Sequence, residues 1–517
     1  MEQRPDDRSD PSRTDRSAYA MTVKSPSLKI SSERQNRATR FALMGLALLL
    51  AGCSVNPATG ERNFTAFMSP EDELRVGREQ HPKILKEFGG AYDHARANAY
   101  VNAVGQQLAR QSDLPNLKFT FTVLDSDVIN AFALPGGYVY ISRGLLALAN
   151  TEAELAGVLA HEIGHVTARH SAQRYSSSVV AGLGTALLGV VAGGGAAQLG
   201  QQGAAAYLQG YSRDQEFEAD KLGVRYLART GYETGSMASF LASLKAYSEL
   251  EARTSGLPDP ASRYNIMSTH PRTGDRVAAA TRAAQATQVA NPRIGNIDHL
   301  NAIEGIVFGD SDGQGFVRGQ VFAHKILGFR FEVPNGFHLA NGTRQVVARG
   351  PNDAVILFNA DTKSFRGRMT SYLTDAWAPS AKLSGVEAIN VNGMDAATGS
   401  TRLTQQGKSV DLRLVAIRFG PNQIYRFMFA TPPASTQQLS EQLRRTTFSF
   451  RRLSDSEKRE LKPWRVTTPA VRPGRNVSQL SRGLPLPGPK EEWFRVLNGL
   501  APNSQPFANQ RVKLVVE

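Results

Sequence analysis

The chain has 517 residues, a formal net charge of +14, 41% hydrophobic residues and one cysteine, Cys53. The length suggests about three domains, and a single cysteine excludes both an internal disulfide and a cysteine-based zinc site. The positive charge is spread along the chain with no dense basic run and no aromatic-interleaved basic patch, which argues against nucleic acid as a partner.

Residues before Arg34 are polar and read as disordered. Arg37 and Arg40 then precede the apolar run FALMGLALLLAG, which leads into Cys53. A basic flank, a short apolar stretch and small residues are the three parts of a secretory signal. The run is too short for a comfortable membrane span. The stretch Leu50–Cys53, LAGC, resembles a bacterial lipoprotein lipobox. The resemblance implies cleavage before Cys53 and acylation of its thiol and new amino terminus. Because Ser54 and not Asp follows, it also implies delivery to the outer membrane. Residues 1–52 are therefore expected to be leader and signal, and the mature protein to be lipid-anchored in the periplasm.

From about 54 to 295, helical patterns alternate with short strands. In LKFTFTVLD, Leu117, Phe119, Phe121 and Val123 alternate with polar residues, which predicts a half-buried strand. PGGYVYIS predicts a turn and a second strand. The region 179–199 is long enough for a membrane helix but glycine-rich, and is expected to be a mobile Gly/Ala-rich helical hairpin near the active site.

The stretch TEAELAGVLAHEIGHVTARH, Thr151–His170, carries the chemistry. Thr151 and Glu154 fit a capping box, and Leu155, Val158, Leu159 and Val166 form an apolar stripe. On this helix His161 and His165 lie one turn apart on one face, so both imidazoles can reach one metal ion. Glu162 is placed to act as a base without being a ligand. A zinc ion so held lowers the pKa of water from about 15.7 toward 7, and an adjacent carboxylate can move the proton. Catalytic zinc needs a third protein ligand and an open position. Downstream, YSRDQEFEADKLG begins another helix in which Glu216 and Asp220 share a face. That pair suits a ligand carboxylate plus an outer carboxylate orienting a ligand histidine. Glu218 points away and reads as solvated. His170, about 140° round the helix from His165, reads as a surface or packing histidine.

HEIGH followed some fifty residues later by SRDQEFEAD resembles the M48 family of zinc metallopeptidases, as do NAFALPGGYVYISRGLL before it and STHPRTGDR after it. The resemblance implies one zinc per chain bound by His161, His165 and Glu216, with Glu162 as general base and Asp220 behind a ligand. In layout the chain is similar to the periplasmic lipoprotein members, which handle damaged or unassembled envelope proteins. Peptidases of this type bind substrate as an extended strand on a sheet edge, a largely sequence-blind mode. His270 stands before Pro271, which disfavours helix there. A loop histidine can reach the open position on zinc and hold the enzyme latent, or it can assist the reaction by contacting substrate or the oxyanion.

The turn-rich GDSDGQG, 309–315, closes a predicted linker over 296–315. The strand-rich region 316–455 predicts an α+β accessory domain. The last module, 462–517, has VRPGRNVSQLS, FRVLNGL and NQRVKLVV and is similar to a LysM module, a βααβ unit that binds peptidoglycan. Arg475 replaces its usual acidic residue. The expected fold class is α+β: a mainly helical zincin-type domain with a small sheet over 53–295, the accessory domain and the LysM-like module. The expected function is a zinc endopeptidase degrading unfolded or mis-assembled envelope proteins. A non-catalytic chaperone or tether and a cell-wall remodelling factor are the competing classes. The intact His161, Glu162, His165 and Glu216 argue against the first, and the absence of paired-carboxylate glycosidase logic against the second.

Overall fold

The computed structural model describes residues 53–191, 210–255, 270, 274–361, 363–405 and 407–517. Strands β1 (Cys53–Val55) and β2 (Arg62–Phe64) form an antiparallel hairpin. Helix α1 (Pro70–Glu87) begins at Ser69, whose hydroxyl accepts from Asp72 N while the Asp72 carboxylate accepts from Ser69 N; α2 (Ala95–Arg110) follows. Strands β3 (Thr120–Leu124), β4 (Ala131–Leu134) and β5 (Tyr138–Ser142) form a sheet in the order β3-β5-β4, with β3 parallel and β4 antiparallel to β5. Phe119 and Val123 of the predicted alternation are buried, and Phe121 is half-buried. The β4–β5 turn requires glycine at both Gly136 (φ 78°) and Gly137 (φ 85°). A Cβ at Gly136 would also lie 2.8 Å from the Glu73 carbonyl oxygen.

After α3 (Arg143–Leu148) comes α4 (Glu152–Thr167), and α2, α5 (His170–Val191), α6 (Arg213–Arg229), α7 (Ser236–Ser255) and α9 (Asn296–Ile303) pack against it, while α8 (Gly274–Ala286) packs on α6 and α7. Thr151 caps α4 by accepting from Glu154 N at 3.0 Å. The Glu154 carboxylate does not close the predicted box. It accepts from Asn150 N at 2.7 Å and from Ser239 Oγ at 2.9 Å, so it ties α4 to α7. The predicted stripe is too narrow: Leu155, Val158 and Leu159 are buried, but so are Ala156, Ala160 and Ile163, while Val166 is not. A central helix packed on all sides has no solvated face. Of the region 179–199, α5 runs to Val191 and the rest of the predicted hairpin lies outside the described residues. Among the described residues no helix is long and apolar enough to cross a membrane.

The predicted linker over 296–315 is not one. Residues Asn296–Ile303 are helix α9, whose Leu300 and Ile303 are buried in the same core as α4. Strand β6 (Val307–Phe308) then pairs with a strand of the C-terminal module. Turn residues at 309–315 mark only the far end of this stretch. Next come β7 (Phe316–Arg318), β8 (Val321–His324) and β9 (Phe329–Glu332), then β10 (His338–Asn341), β11 (Val346–Arg349) and β12 (Val355–Asp361). After a short helical turn come β13 (Ser384–Val391), β14 (Met394–Gln405), β15 (Lys408–Gly420), β16 (Gln423–Thr431), α10 (Pro433–Ser449) and β17 (Arg451–Arg452). Seven of these strands make an antiparallel sheet in the order β10-β11-β12-β16-β15-β14-β13, and β17-β9-β8-β7 make a smaller one. Aromatic side chains fill the space between them; the Phe331 and Phe358 rings are 4.6 Å apart.

The C-terminal module has the order β18 (Trp464–Thr467), α11 (Val477–Ser481), α12 (Lys490–Leu497), β19 (Leu514–Val516). It is joined to the first region by the sheet β19-β18-β6 and by contact of Trp493 with Tyr247 of α7. Its deepest link is Lys513, 2% exposed, whose Nζ donates to the carbonyls of Ala147, Leu148 and Ala149 at 2.8–2.9 Å. An ammonium there satisfies the open carbonyls at the end of α3, just before α4 begins. Replacing Lys513 by Met takes that donor from the buried carbonyls of Ala147 and Leu148, while Ala149 O keeps His299 Nε2 at 2.8 Å. The expected loss is about 3 kcal/mol of stability, seen as a lower midpoint in denaturant unfolding followed by a probe in the α4 region.

Candidate metal centre

Helices α4 and α6 cross closely because each places a glycine at the contact. A Cβ at Gly164 would be 3.2 Å from Ala219 O, and one at Gly223 would be 3.3 Å from His161 N. Gly164 is one of the two middle residues of HEIGH, so the motif carries its own packing requirement. This approach brings Glu216, in the first turn of α6, over the histidines of α4. The Nε2 atoms of His161 and His165 are 3.0 Å apart. Glu216 carboxylate oxygens lie 3.5 Å from each of them. His270 adds a fourth group: its Nδ1 is 2.9 Å from Glu216 Oε1 and 3.3 Å from His161 Nε2. All four residues are buried, and one donor atom from each lies within 4.8 Å of the others.

The spacing can be tested against a metal. Zinc bound tetrahedrally at about 2.0–2.1 Å to nitrogen and oxygen leaves its ligand atoms about 3.3 Å apart. The five separations above, 2.9–3.5 Å, bracket that value. The donor set of imidazole and carboxylate is one that zinc accepts. Glu162 stands beside the cluster, fully buried, and among the described residues neither of its oxygens has a hydrogen-bond partner. His270 Nε2 is 3.4 Å from Glu162 Oε1.

The protonation tendencies have the same origin. Burial opposes a charge on His161, but Asp220 and Glu216 outweigh it and push it up to about 10. Burial would raise Glu216; His270, His161 and His165 hold it well below the usual carboxylate range. Burial, reinforced by the charge on His161, keeps His165 well below its ordinary value. Burial also raises Glu162 above the usual carboxylate range, despite His270 and His161 nearby. The cluster thus draws positive charge to the point its lone pairs share.

Asp220 Oδ1 is 3.0 Å from His161 Nδ1, on the side away from the cluster. Asp220 is in turn held by Arg276, whose Nε and Nη2 donate to it at 2.9 and 2.8 Å while Nη1 lies 2.6 Å from Glu216. Arg276 was not singled out from the sequence, although STHPRTGDR contains it. Of the two places the sequence left open for His170, surface or packing, the structure has the second: it is fully buried, with Nδ1 2.8 Å from His165 Nδ1. The reading of Glu218 needs correction. Glu218 is not solvated but partly buried, with Oε2 3.2 Å from His170 Nε2. A helix continuing through Thr167 would carry His170 away from His165 and leave Glu218 without this partner. Arg169 has φ 58°, and this left-handed residue ends α4 and turns His170 back toward His165. Tyr211, also missed, stacks on the His165 ring at 3.8 Å.

A helix carrying two histidines one turn apart, a carboxylate from a second helix and a buried carboxylate without a hydrogen bond beside them define a metallopeptidase type of centre. Residues 95–284 match the family model described as Peptidase family M48, and the chain therefore carries an M48 peptidase domain. It is 34% identical over 227 residues to the beta-barrel assembly-enhancing protease of Escherichia coli (strain K12), covering 42% of this chain and 45% of the relative. It is 28% identical over 186 residues to the mitochondrial metalloendopeptidase OMA1 of Schizosaccharomyces pombe (strain 972 / ATCC 24843), covering 34% and 53%. The bovine mitochondrial metalloendopeptidase OMA1 is 26% identical over 257 residues, covering 46% and 47%. The chain spans about half the length of the curated relatives it matches.

Metal analysis of purified protein should find about one zinc per chain. His161→Ala, His165→Ala and Glu216→Ala should each deplete it, whereas Glu162→Gln should not. A metal-replete Glu216→Ala protein would remove Glu216 from the ligand set.

Proposed function

We propose that the chain is a zinc-dependent endopeptidase of the bacterial envelope, which cuts unfolded or mis-assembled envelope proteins. The observation that carries this is the four-donor cluster with Glu162 at its side, buried and, among the described residues, without a hydrogen bond. In this reading His161, His165 and Glu216 hold the metal. Bound zinc supplies Lewis-acid chemistry, polarising the scissile carbonyl and making water acidic enough to lose a proton near neutral pH. Glu162, its pKa raised by burial, takes that proton and passes it to the leaving amine. Asp220, held by Arg276, fixes the His161 ring so that Nε2 faces the metal. Strand β4 is the edge of its sheet, and an extended substrate would pair with its outer backbone.

His270 takes the inhibitory role in this proposal. Its Nδ1 belongs to the donor set, in the place that a catalytic zinc keeps open. With His270 there, water and the substrate carbonyl are excluded, and a protease with little sequence preference is held latent. The name beta-barrel assembly-enhancing protease belongs to the relatives. For this chain it suggests that outer-membrane β-barrel proteins that fail to assemble are among the substrates. Cys53 opens β1, so lipid on its thiol and amino terminus would join the membrane directly to the fold.

The decisive assay is cleavage of an unfolded protein by the full chain. Glu162→Gln should lower it by about 10²–10⁴-fold with zinc retained. His270→Ala should raise it by about tenfold, the gain expected if about nine molecules in ten are closed, and should bring self-cleavage. A His270→Ala protein that is slower but zinc-replete would assign His270 to the reaction instead. Separately, metabolic labelling with a fatty-acid analogue should mark the wild type and not Cys53→Ser. Equal labelling, or a mature protein that keeps residues 1–52, would refute the anchor.

A further inference from the structure

The two ligand histidines on α4 are supported from behind in different ways. His161 Nδ1 meets the Asp220 carboxylate directly. His165 Nδ1 meets another histidine, His170, at 2.8 Å. From there the chain of contacts continues outward. His170 Nε2 is 3.2 Å from Glu218 Oε2, and Glu218 Oε1 accepts from Asn56 Nδ2 at 2.6 Å. Asn56 is 2% exposed, and its own Oδ1 accepts from Ala58 N at 2.9 Å, which fixes which end of the amide faces Glu218.

These contacts admit one consistent proton arrangement. A histidine that offers Nε2 to a metal carries its proton on Nδ1. His165 Nδ1–H then donates to His170 Nδ1, which must accept. The His170 proton sits on Nε2 and donates to Glu218. Glu218 uses its second oxygen to accept from Asn56. Every donor meets an acceptor, and the series ends three residues after Cys53.

A second tether runs parallel to the first. Arg169, beside His170, donates through Nη1 to Ser54 Oγ at 2.9 Å, through Nε to Glu73 at 3.0 Å and through Nη2 to Met68 O at 2.9 Å. Its φ of 58° is unfavourable for a non-glycine residue. The three bonds hold it there and so hold His170 under His165.

On the zinc reading above, we infer that His170 and Glu218 are positioning residues for the metal ligand His165, and that the segment Ser54–Asn56 directly behind Cys53 completes the site by holding Glu218 and Arg169. The metal centre is then incomplete unless the β1 hairpin is seated. The segment next to the proposed lipid anchor acts on the zinc through a histidine and a carboxylate that touch neither metal nor substrate.

The test is zinc affinity of the full-length protein, measured by competition with a chromophoric chelator, together with the visible absorption of the cobalt-substituted protein. His170→Phe removes the acceptor for His165, and Glu218→Gln sets an amide donor against one of the donors that face Glu218. Each should weaken zinc binding by about 10- to 100-fold and alter the cobalt spectrum. Asn56→Leu should act in the same direction by a smaller factor. In combination with His170→Phe it should add nothing further, because the relay is already cut. Should His170→Phe fail to fold, the Glu218→Gln and Asn56→Leu pair gives the same non-additive signature. Zinc affinity and cobalt spectra indistinguishable from wild type in the folded variants would overturn the inference while leaving the zinc centre standing. An Asn56→Leu effect that multiplies with His170→Phe would overturn the link to the N-terminal segment. A wild-type chain that binds no zinc would instead overturn the metal reading, and this inference with it.

Discussion

Gly164 on α4 and Gly223 on α6 allow two helices to approach until the backbone of one touches that of the other. Without that approach Glu216 would not lie 3.5 Å from both His161 and His165. The closeness has a cost, since imidazoles and a carboxylate facing one point in a buried site compete for the same charge. The pattern of raised and lowered pKa values among these groups expresses that competition. A cation at the shared point relieves it, which is why metal binding and local folding are coupled at such sites. Arg276 serves the same end from outside, placing a permanent positive charge against both Glu216 and Asp220.

The histidine pair, Glu162, Glu216 and Asp220 were legible in the sequence because they follow helical spacing, and spacing within a helix survives whatever the helix packs against. The partners of His170 and the burial of Glu218 were not legible for the converse reason. Their placement depends on one left-handed residue, Arg169, and on a hairpin more than a hundred residues upstream, and neither leaves a periodic trace. The burial of α4 on all sides was hidden similarly: AGVLA mixes small and large residues, which suits close helix contacts as well as a one-sided stripe. The short strands and the Gly136–Gly137 turn were readable from local chemistry. The helix at Asn296–Ile303 was not. It has no side-chain cap and starts after a glycine at φ 68°, so nothing before it signals a helix start.

The C-terminal module shows how composition misleads about independence. The turn-rich stretch near 309–315 suggested separation, yet β6 just before it pairs with β18, and the sheet continues to β19. Lys513 then reaches into the first region and satisfies carbonyls at the end of α3. His299 of α9 also approaches Ala149 O, at 2.8 Å, and burial beside Lys513 pushes its pKa down to about 3, so it is neutral there. The start of α4 is therefore gripped by two elements that lie beyond the M48 match. The module is thus part of the scaffold that fixes the start of α4.

Three supports converge on the same few ångströms from different parts of the chain. Asp220 and Arg276 stand behind His161, the His170–Glu218–Asn56 series stands behind His165, and His270 faces the metal position from the front. Only the first comes from elements packed entirely within the helical core. The second ends next to the proposed lipid attachment, and the third comes from a histidine followed by a proline. On the proposed reading, this arrangement would suit a protease whose substrate binding is largely sequence-blind. Selectivity that the side-chain pockets do not provide must then come from when the site is complete and open. In this reading the β1 hairpin governs completeness, through the ring orientation of His165, and His270 governs openness, through the fourth position on the metal. The two controls act on different atoms of one cluster, so each can change without the other.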